Sequence, residues 1–177
     1  MNVPLAALLG FLVVVVAVLA IAARKPNDFH IQRAISVQAP STRIFELIND
    51  LHAWSAWSPW AKLDPQMKTT YSGPKHGVGA GYSWSGNGKV GEGSMRIRES
   101  VPASKVLLEL KFLKPFKASN QCVFSLQPSG DTTRVIWAMD GQNLFMSKVM
   151  GLFINMDKFI GKDFERGLES LKQVAEG

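Results

Sequence analysis

Apolar and polar positions recur along this chain with two different periods. From Ser147 to Ala175 the apolar residues Met150, Phe153, Met156, Phe159, Ile160, Phe164, Leu168, Leu171 and Val174 follow in steps of three and four. That spacing places them on one face of an α-helix. Lys158, Lys162, Glu165, Arg166, Glu169 and Lys172 fall opposite, as a solvated face requires. At about 1.5 Å per residue such a helix runs roughly 40 Å, and its stripe needs a sheet to lie across. The stripe also changes along its length. Its second half, Leu168, Leu171 and Val174, is ordinary packing; its first half, Met and Phe, either continues that core or lines a pocket.

Upstream the period shortens to two. Phe29 to Gln38 alternates and predicts a first strand, stopped at Ala39-Pro40-Ser41. Thr42 to Leu51 carries Ile44, Leu47, Ile48 and Leu51 on one helical face. Three of the five tryptophans then crowd into Trp54-Ser55-Ala56-Trp57-Ser58-Pro59-Trp60. Six more strands are predicted at Met67 to Ser72, Ala80 to Ser85, Gly91 to Glu99, Lys105 to Phe112, Ser119 to Leu126 and Thr132 to Asp140. The breaks between them hold Gly, Pro, Asn and Ser, the chemistry of tight turns. Such short connections make an antiparallel meander. The expected class is α+β: a curved antiparallel sheet gripping a long C-terminal helix, which buries both.

The N-terminal stretch has neither period. Val3 to Ala23 is uncharged and nearly all Ala, Val, Leu, Ile and Phe, about the 20 residues that cross a bilayer. Ala20-Ile21-Ala22 matches a signal-peptidase pattern, but no Lys or Arg precedes the apolar run, which favours a retained transmembrane anchor over a cleaved signal. Arg24 and Lys25 follow it, so the positive-inside rule predicts a single-pass inner-membrane protein with its domain in the cytoplasm, a periplasmic domain being the alternative. The expected organisation is an anchor at 1–24, a linker at 25–28 and one domain at 29–177.

Composition adds a net charge of +6, all of it after that stretch. A basic domain is drawn to anionic headgroups; nucleic-acid binding is not expected, because no helix-turn-helix, zinc spacing or long basic run is present. The lone Cys122 excludes an internal disulfide and a cysteine zinc site, and it reads as a small buried hydrophobe. His30, His52 and His76 are dispersed without metal-ligand spacing, so neither metal nor cofactor is expected. Gly86-Asn87-Gly88-Lys89-Val90-Gly91 spells G-x-G-x-x-G, yet it joins two strands and opens no helix, so it is a hairpin turn. Asp50 and His52 form an acid–base pair on paper, with no nucleophile beside them.

These residues resemble a known superfamily. The opening strand into Ala39-Pro40, Ile44-Phe45, Asn49-Asp50-Leu51, Trp54, Trp57-Ser58-Pro59-Trp60, Tyr71-Ser72-Gly73-Pro74, Gly77-Val78-Gly79, Thr133-Arg134-Val135 and the closing helix are similar to the helix-grip (SRPBCC, START-like) proteins. These include START lipid-transfer domains, the birch-pollen allergen and polyketide cyclases. The bacterial polyketide cyclase/dehydrase-like branch, many of whose members carry an N-terminal membrane helix, is the nearest in pattern. The resemblance implies an apolar cavity between sheet and helix, with Trp57, Trp60, Tyr71, Trp84, Met95, Phe112, Trp137, Met139, Met150, Phe153 and Met156 as candidate lining or core residues. The function implied first is membrane-anchored binding or transfer of a small hydrophobic ligand, a lipid or polyketide-like molecule. A cyclase/dehydrase-like enzyme is the alternative, its catalytic residues unknown beyond the candidates Tyr71, Glu92 and Arg96; a membrane-tethered interaction domain is the third.

Counting strands places the cavity mouth. Alternate turns of a meander share an end, so Lys89, Lys114, Phe116, Lys117, Phe145 and Lys148 are expected together; the resemblance, which implies that strand one pairs beside the last strand, puts that end next to the anchor, facing the membrane.

Overall fold

The computed structural model describes residues 3–61 and 63–177, with the side chains of the first helix described from residue 7. Met1 and Asn2, which open the expected anchor, and Lys62 lie outside the described residues. In chain order the elements are α1 (Val3–Ala23), β1 (Asp28–Val37), α2 (Ser41–Asn49), α3 (Trp54–Trp57), β2 (Lys68–Ser72), β3 (Gly81–Ser85), β4 (Glu92–Val101), β5 (Lys105–Lys114), β6 (Ala118–Ser129), β7 (Thr132–Gln142), α4 (Phe145–Met150) and α5 (Met156–Glu176).

The strands form one seven-stranded antiparallel sheet in the order β1-β7-β6-β5-β4-β3-β2. The first strand closes against the last, with Phe29 opposite Gly141 and Ile35 opposite Val135. Everything from β2 to β7 is a meander of neighbouring hairpins. Because side chains alternate across a strand, one face carries Ile31, Val37, Ile97, Val106, Leu108, Phe124, Leu126, Val135, Trp137 and Met139, all buried. Against this inner face α5 lies over β1 and β7, α2 lies over β5 and β6, and α3 wedges against α5. The stripe of α5 is Phe164, Leu168, Leu171 and Ala175, each buried.

Arg33 pins the helix to the first strand. Its guanidinium donates to Glu165 Oε1 at 2.8 Å and to Asp157 Oδ2 at 3.0 Å. It lies directly under Gly161, where a Cβ would collide with it, so glycine is what lets the helix pass that close.

The expected unbroken helix from Ser147 is corrected. It is interrupted after Met150 and restarts at Met156. Gly151, a weak helix former, follows the short α4. Asn155 then caps α5, its side chain accepting from the Lys158 N–H at 3.0 Å, a preferred start for a new helix. α5 is 21 residues long, or about 30 Å rather than 40.

The membrane assignment is corrected as well. Among the described residues no helix is long and apolar enough to cross a membrane. A transmembrane helix, single-pass localisation and the orientation drawn from it are therefore not supported. What α1 does present is exposed apolar surface, including Leu8, Phe11, Leu12, Val13 and Val14.

Candidate functional site

The inner face divides in two. Under α5 and α3 it is filled by rings. Trp137 stacks on Phe164 at 4.2 Å and 4°, and Trp57, Trp60 and Phe124 surround it with centroids between 4.8 and 5.9 Å. The indole N–H groups of Trp54 and Trp57 donate to the Ile48 and Leu47 carbonyls, so these rings are locked in place. No room for a ligand remains where the rings meet. Of the candidate lining residues, Trp57 (1% exposed), Trp137 (2%) and Met139 (4%) belong to this core.

Across the other half, on β2 to β4, no helix packs closely, the cover of α2 reaching only as far as β5. Registers put its inward side chains into two rows. One runs Tyr71, Tyr82, Met95, Leu110, Asn120, Gly141, Phe29 from edge to edge. The next, toward the end of the sheet that carries the β3–β4 and β5–β6 turns, runs Thr69, Trp84, Gly93, Phe112, Ala118. Tyr82, Met95, Leu110 and Phe112 are half-buried, and their aromatic members touch in sequence: Tyr71–Tyr82 at 5.3 Å, Tyr82–Trp84 at 6.0 Å, Trp84–Phe112 at 5.9 Å. Gly93 lies beneath the Trp84 ring, whose nearest atoms would stand 2.5 and 2.7 Å from a Cβ. The expected Trp84, Met95 and Phe112 thus come together, with Trp60 half-buried on the wall toward the core and Tyr71 at the open edge.

Met150, Phe153 and Met156 do not join them in the same way. Phe153 lies between the two helices and is 76% exposed, Met150 is exposed on α4, and Met156 is half-buried at the start of α5. Tyr82, Leu110 and Asn120 went unnoticed in the sequence, although strand alternation held the signal. They sit two residues from Trp84, Phe112 and Cys122.

Charge is scarce on this surface. Glu92 and Arg96 alternate with Gly93 and Met95 and so face outward, Glu92 pairing with Lys114 at 2.7 Å. The outer face is polar: Arg98 and Lys111 converge on Glu109, and His30 meets Asp140 at 2.6 Å. Two open depressions lie there, of about 690 and 180 Å³. The larger is lined by Arg98 and Glu109 among others and reaches Phe29, Asn120 and Gly141; the smaller is lined by Arg98, Glu109 and Lys111 and reaches Tyr82 and Met95. On the inner face, burial pushes Tyr82 up to about 12, and burial followed by the Asp50 charge raises Tyr71. Both phenols keep their protons at neutral pH. Asp50 and His52 do meet, Oδ1 to Nδ1 at 3.1 Å, and His52 stacks on Tyr71 at 3.8 Å, both at the exposed edge. Among the described residues no cluster of His, Cys, Asp and Glu could hold a metal ion.

The turns and helix that carry the six residues expected at the mouth leave the same end of the sheet, since Glu92 of β4 faces Lys114 of β5 and Asn120 of β6 faces Gly141 of β7. Lys89, Lys114, Phe116, Lys117 and Phe145 are exposed there. Lys148 is not: it is 8% exposed, its amine on Asn27 Oδ1 at 2.5 Å.

A long helix held against a curved antiparallel meander, with helices between the first two strands, defines a helix-grip protein. The chain belongs to the family described as polyketide cyclase/dehydrase and lipid transport, which it matches over residues 28–176. Solved structures share the fold at low identity. A Chromobacterium violaceum protein is 15% identical with a TM-score of 0.59, covering 86% of this chain and 99% of that one. The Aha1 dimer from Colwellia psychrerythraea gives 16% and 0.60, covering 84% and 96%. Major latex-like protein 151 from Panax ginseng gives 12% and 0.65, covering 85% and 99%. Among curated proteins none matches the chain significantly.

Proposed function

We propose that this chain binds a small hydrophobic molecule against the half of the inner face lined by Tyr82, Trp84, Met95, Leu110 and Phe112. The observation that carries the reading is that Tyr82, Met95, Leu110 and Phe112 stay half-buried around the buried Trp84, on a sheet whose other half is tightly filled. Large aromatic and thioether side chains suit such a ligand. Family membership supports the same reading. A binding or transfer role is favoured over a cyclase or dehydrase, because these rows hold no carboxylate or imidazole to move a proton. Titration with the fluorescent apolar probe phenylnaphthylamine tests it. Met95→Trp should fill the site and strongly weaken binding, whereas Leu107→Trp, on the outer face, should not. Equal effects of the two would overturn the assignment.

The apolar end of the molecule favours a peripheral contact besides. Leu113, Phe116, Leu144, Phe145, Met146, Ile154, Phe153 and Phe159 are all at least 40% exposed, at or beside the turns that carry Lys89, Lys114 and Lys117. Exposed apolar tips with a basic rim suit an anionic lipid surface, touched without any span. A solvatochromic label at Phe153→Cys, in a chain also carrying Cys122→Ser, should shift blue on phosphatidylglycerol vesicles and less after Lys114→Glu with Lys117→Glu. A label that stays water-exposed would refute the contact; a shift without vesicles would point instead to a second copy of the chain.

A further inference from the structure

Asn120 interrupts the apolar row. It is the only amide among those inward positions, 7% exposed, between Leu110 on one side and Gly141 and Phe29 on the other. Its Oδ1 has no hydrogen-bond partner. Its Nδ2 reaches only the Met139 thioether, at 3.8 Å, a weak acceptor. The carboxamide projects along the inner face rather than into the sheet, since Oδ1 occupies the space that a Cβ on Gly141 would need. Gly141 thus leaves the position open for it. An unsatisfied buried amide destabilises the fold, and a Leu or Val would fit the alternation of β6, whose inward neighbours Cys122, Phe124 and Leu126 are all apolar or nearly so.

We propose that Asn120 is the polar anchor of the ligand site and selects a hydrophobic molecule carrying a hydroxyl group. This rests on the binding reading above and adds the ligand's chemistry to it. A hydroxyl both donates and accepts, so it satisfies Oδ1 and the second amide hydrogen together, while the rest of the molecule lies along Leu110, Met95, Tyr82 and Phe112. A bare hydrocarbon leaves the amide unpaired. A ligand with only an acceptor leaves Oδ1 orphaned.

The test uses the full chain with two matched probes, naphthol and methylnaphthalene, similar in shape and differing in the hydroxyl. One net hydrogen bond corresponds to a preference of roughly 3- to 10-fold for naphthol, and Asn120→Leu should abolish or invert it. The Asn120 side-chain amide signals in a nitrogen–proton correlation spectrum should move with naphthol and stay with methylnaphthalene, a readout that needs no variant. If both probes bind alike and the amide signals ignore both, the anchor is wrong and the hydrophobic site stands. If neither probe binds, the binding reading fails and the anchor fails with it.

Discussion

Phe164 and Phe159 lie five residues apart on one helix and make opposite predictions. Phe164 is 1% exposed, stacked on Trp137 at 4.2 Å and edge-on to Trp60 at 6.4 Å. Phe159 is 63% exposed. Truncating a buried Phe to Ala removes its transfer energy and leaves a cavity, about 3–5 kcal/mol in all. The neighbours cannot collapse into that cavity, because Trp57 is tied by its N–H to Leu47 and α3 already abuts α5. The upper part of the range is therefore expected. The stacking itself accounts for about 0.5–1.5 kcal/mol of it. Phe159→Ala should stay within about 0.5 kcal/mol of the parent. With an urea slope of about 2 kcal/mol per molar, Phe164→Ala lowers the unfolding midpoint by about 2 M and Phe159→Ala scarcely moves it. Tryptophan fluorescence follows both, since Trp137 is the stacked partner. Coincident midpoints for the two variants would mean that α5 is not seated by this face, and the division of the inner surface into filled and open halves would fall with it.

Two further outcomes follow from titrating groups. The Asp140 hydrogen bond raises the His30 pKa above its ordinary value of 6.5; a raised pKa stabilises the fold fully below that ordinary value and loses the contribution as pH climbs through the raised one, so proton NMR should show a high titration midpoint that Asp140→Asn returns toward normal, with only a small stability change for so exposed a pair. Cys122 is pushed up to about 12, chiefly by burial; a thiol reagent should leave it untouched in the folded chain and modify it fully in denaturant, and rapid labelling under native conditions would contradict its burial.

Much of the fold was legible because it is written in local period. Alternation located every strand to within a few residues, and the turn residues made the meander obligatory. The pairing of Phe29's strand with the last one follows from the family resemblance rather than from any local signal. The site was half legible. Trp84, Met95 and Phe112 fall on the apolar positions of their strands, but alternation does not say which helix covers which strands, so Trp57 and Trp137, in the main core, read the same as Trp84, which is buried outside that core cluster. The Met-rich start of the last helix misled for a different reason. Periodicity of three and four continues through Gly151 and Asn155, and only the weak propensity of the one and the capping ability of the other mark the break that leaves Phe153 outside. Lys148 shows the same limit: a lysine at a basic end reads as exposed, and a single tertiary partner, Asn27, buries it.

The electrostatics of the inner face narrow the ligand further. Along the sheet's inward positions the one charged side chain is Arg33, and its guanidinium is already held by Asp157 and Glu165. The neighbouring phenols are neutral, with Tyr82 held near 12. A ligand carboxylate entering beside Asn120 would give up hydration and gain no opposite charge, a transfer that costs several kcal/mol per ion even after relaxation. A hydroxyl gives up much less and is repaid by the amide. Naphthoate, with a carboxylate where naphthol has its hydroxyl, is therefore expected to bind far more weakly at neutral pH and to recover as the solution is acidified and the acid becomes neutral. Isothermal titration at two pH values measures the difference. Tight naphthoate binding at neutral pH would require a cation within the site, and the reading of this surface as uncharged would then be wrong.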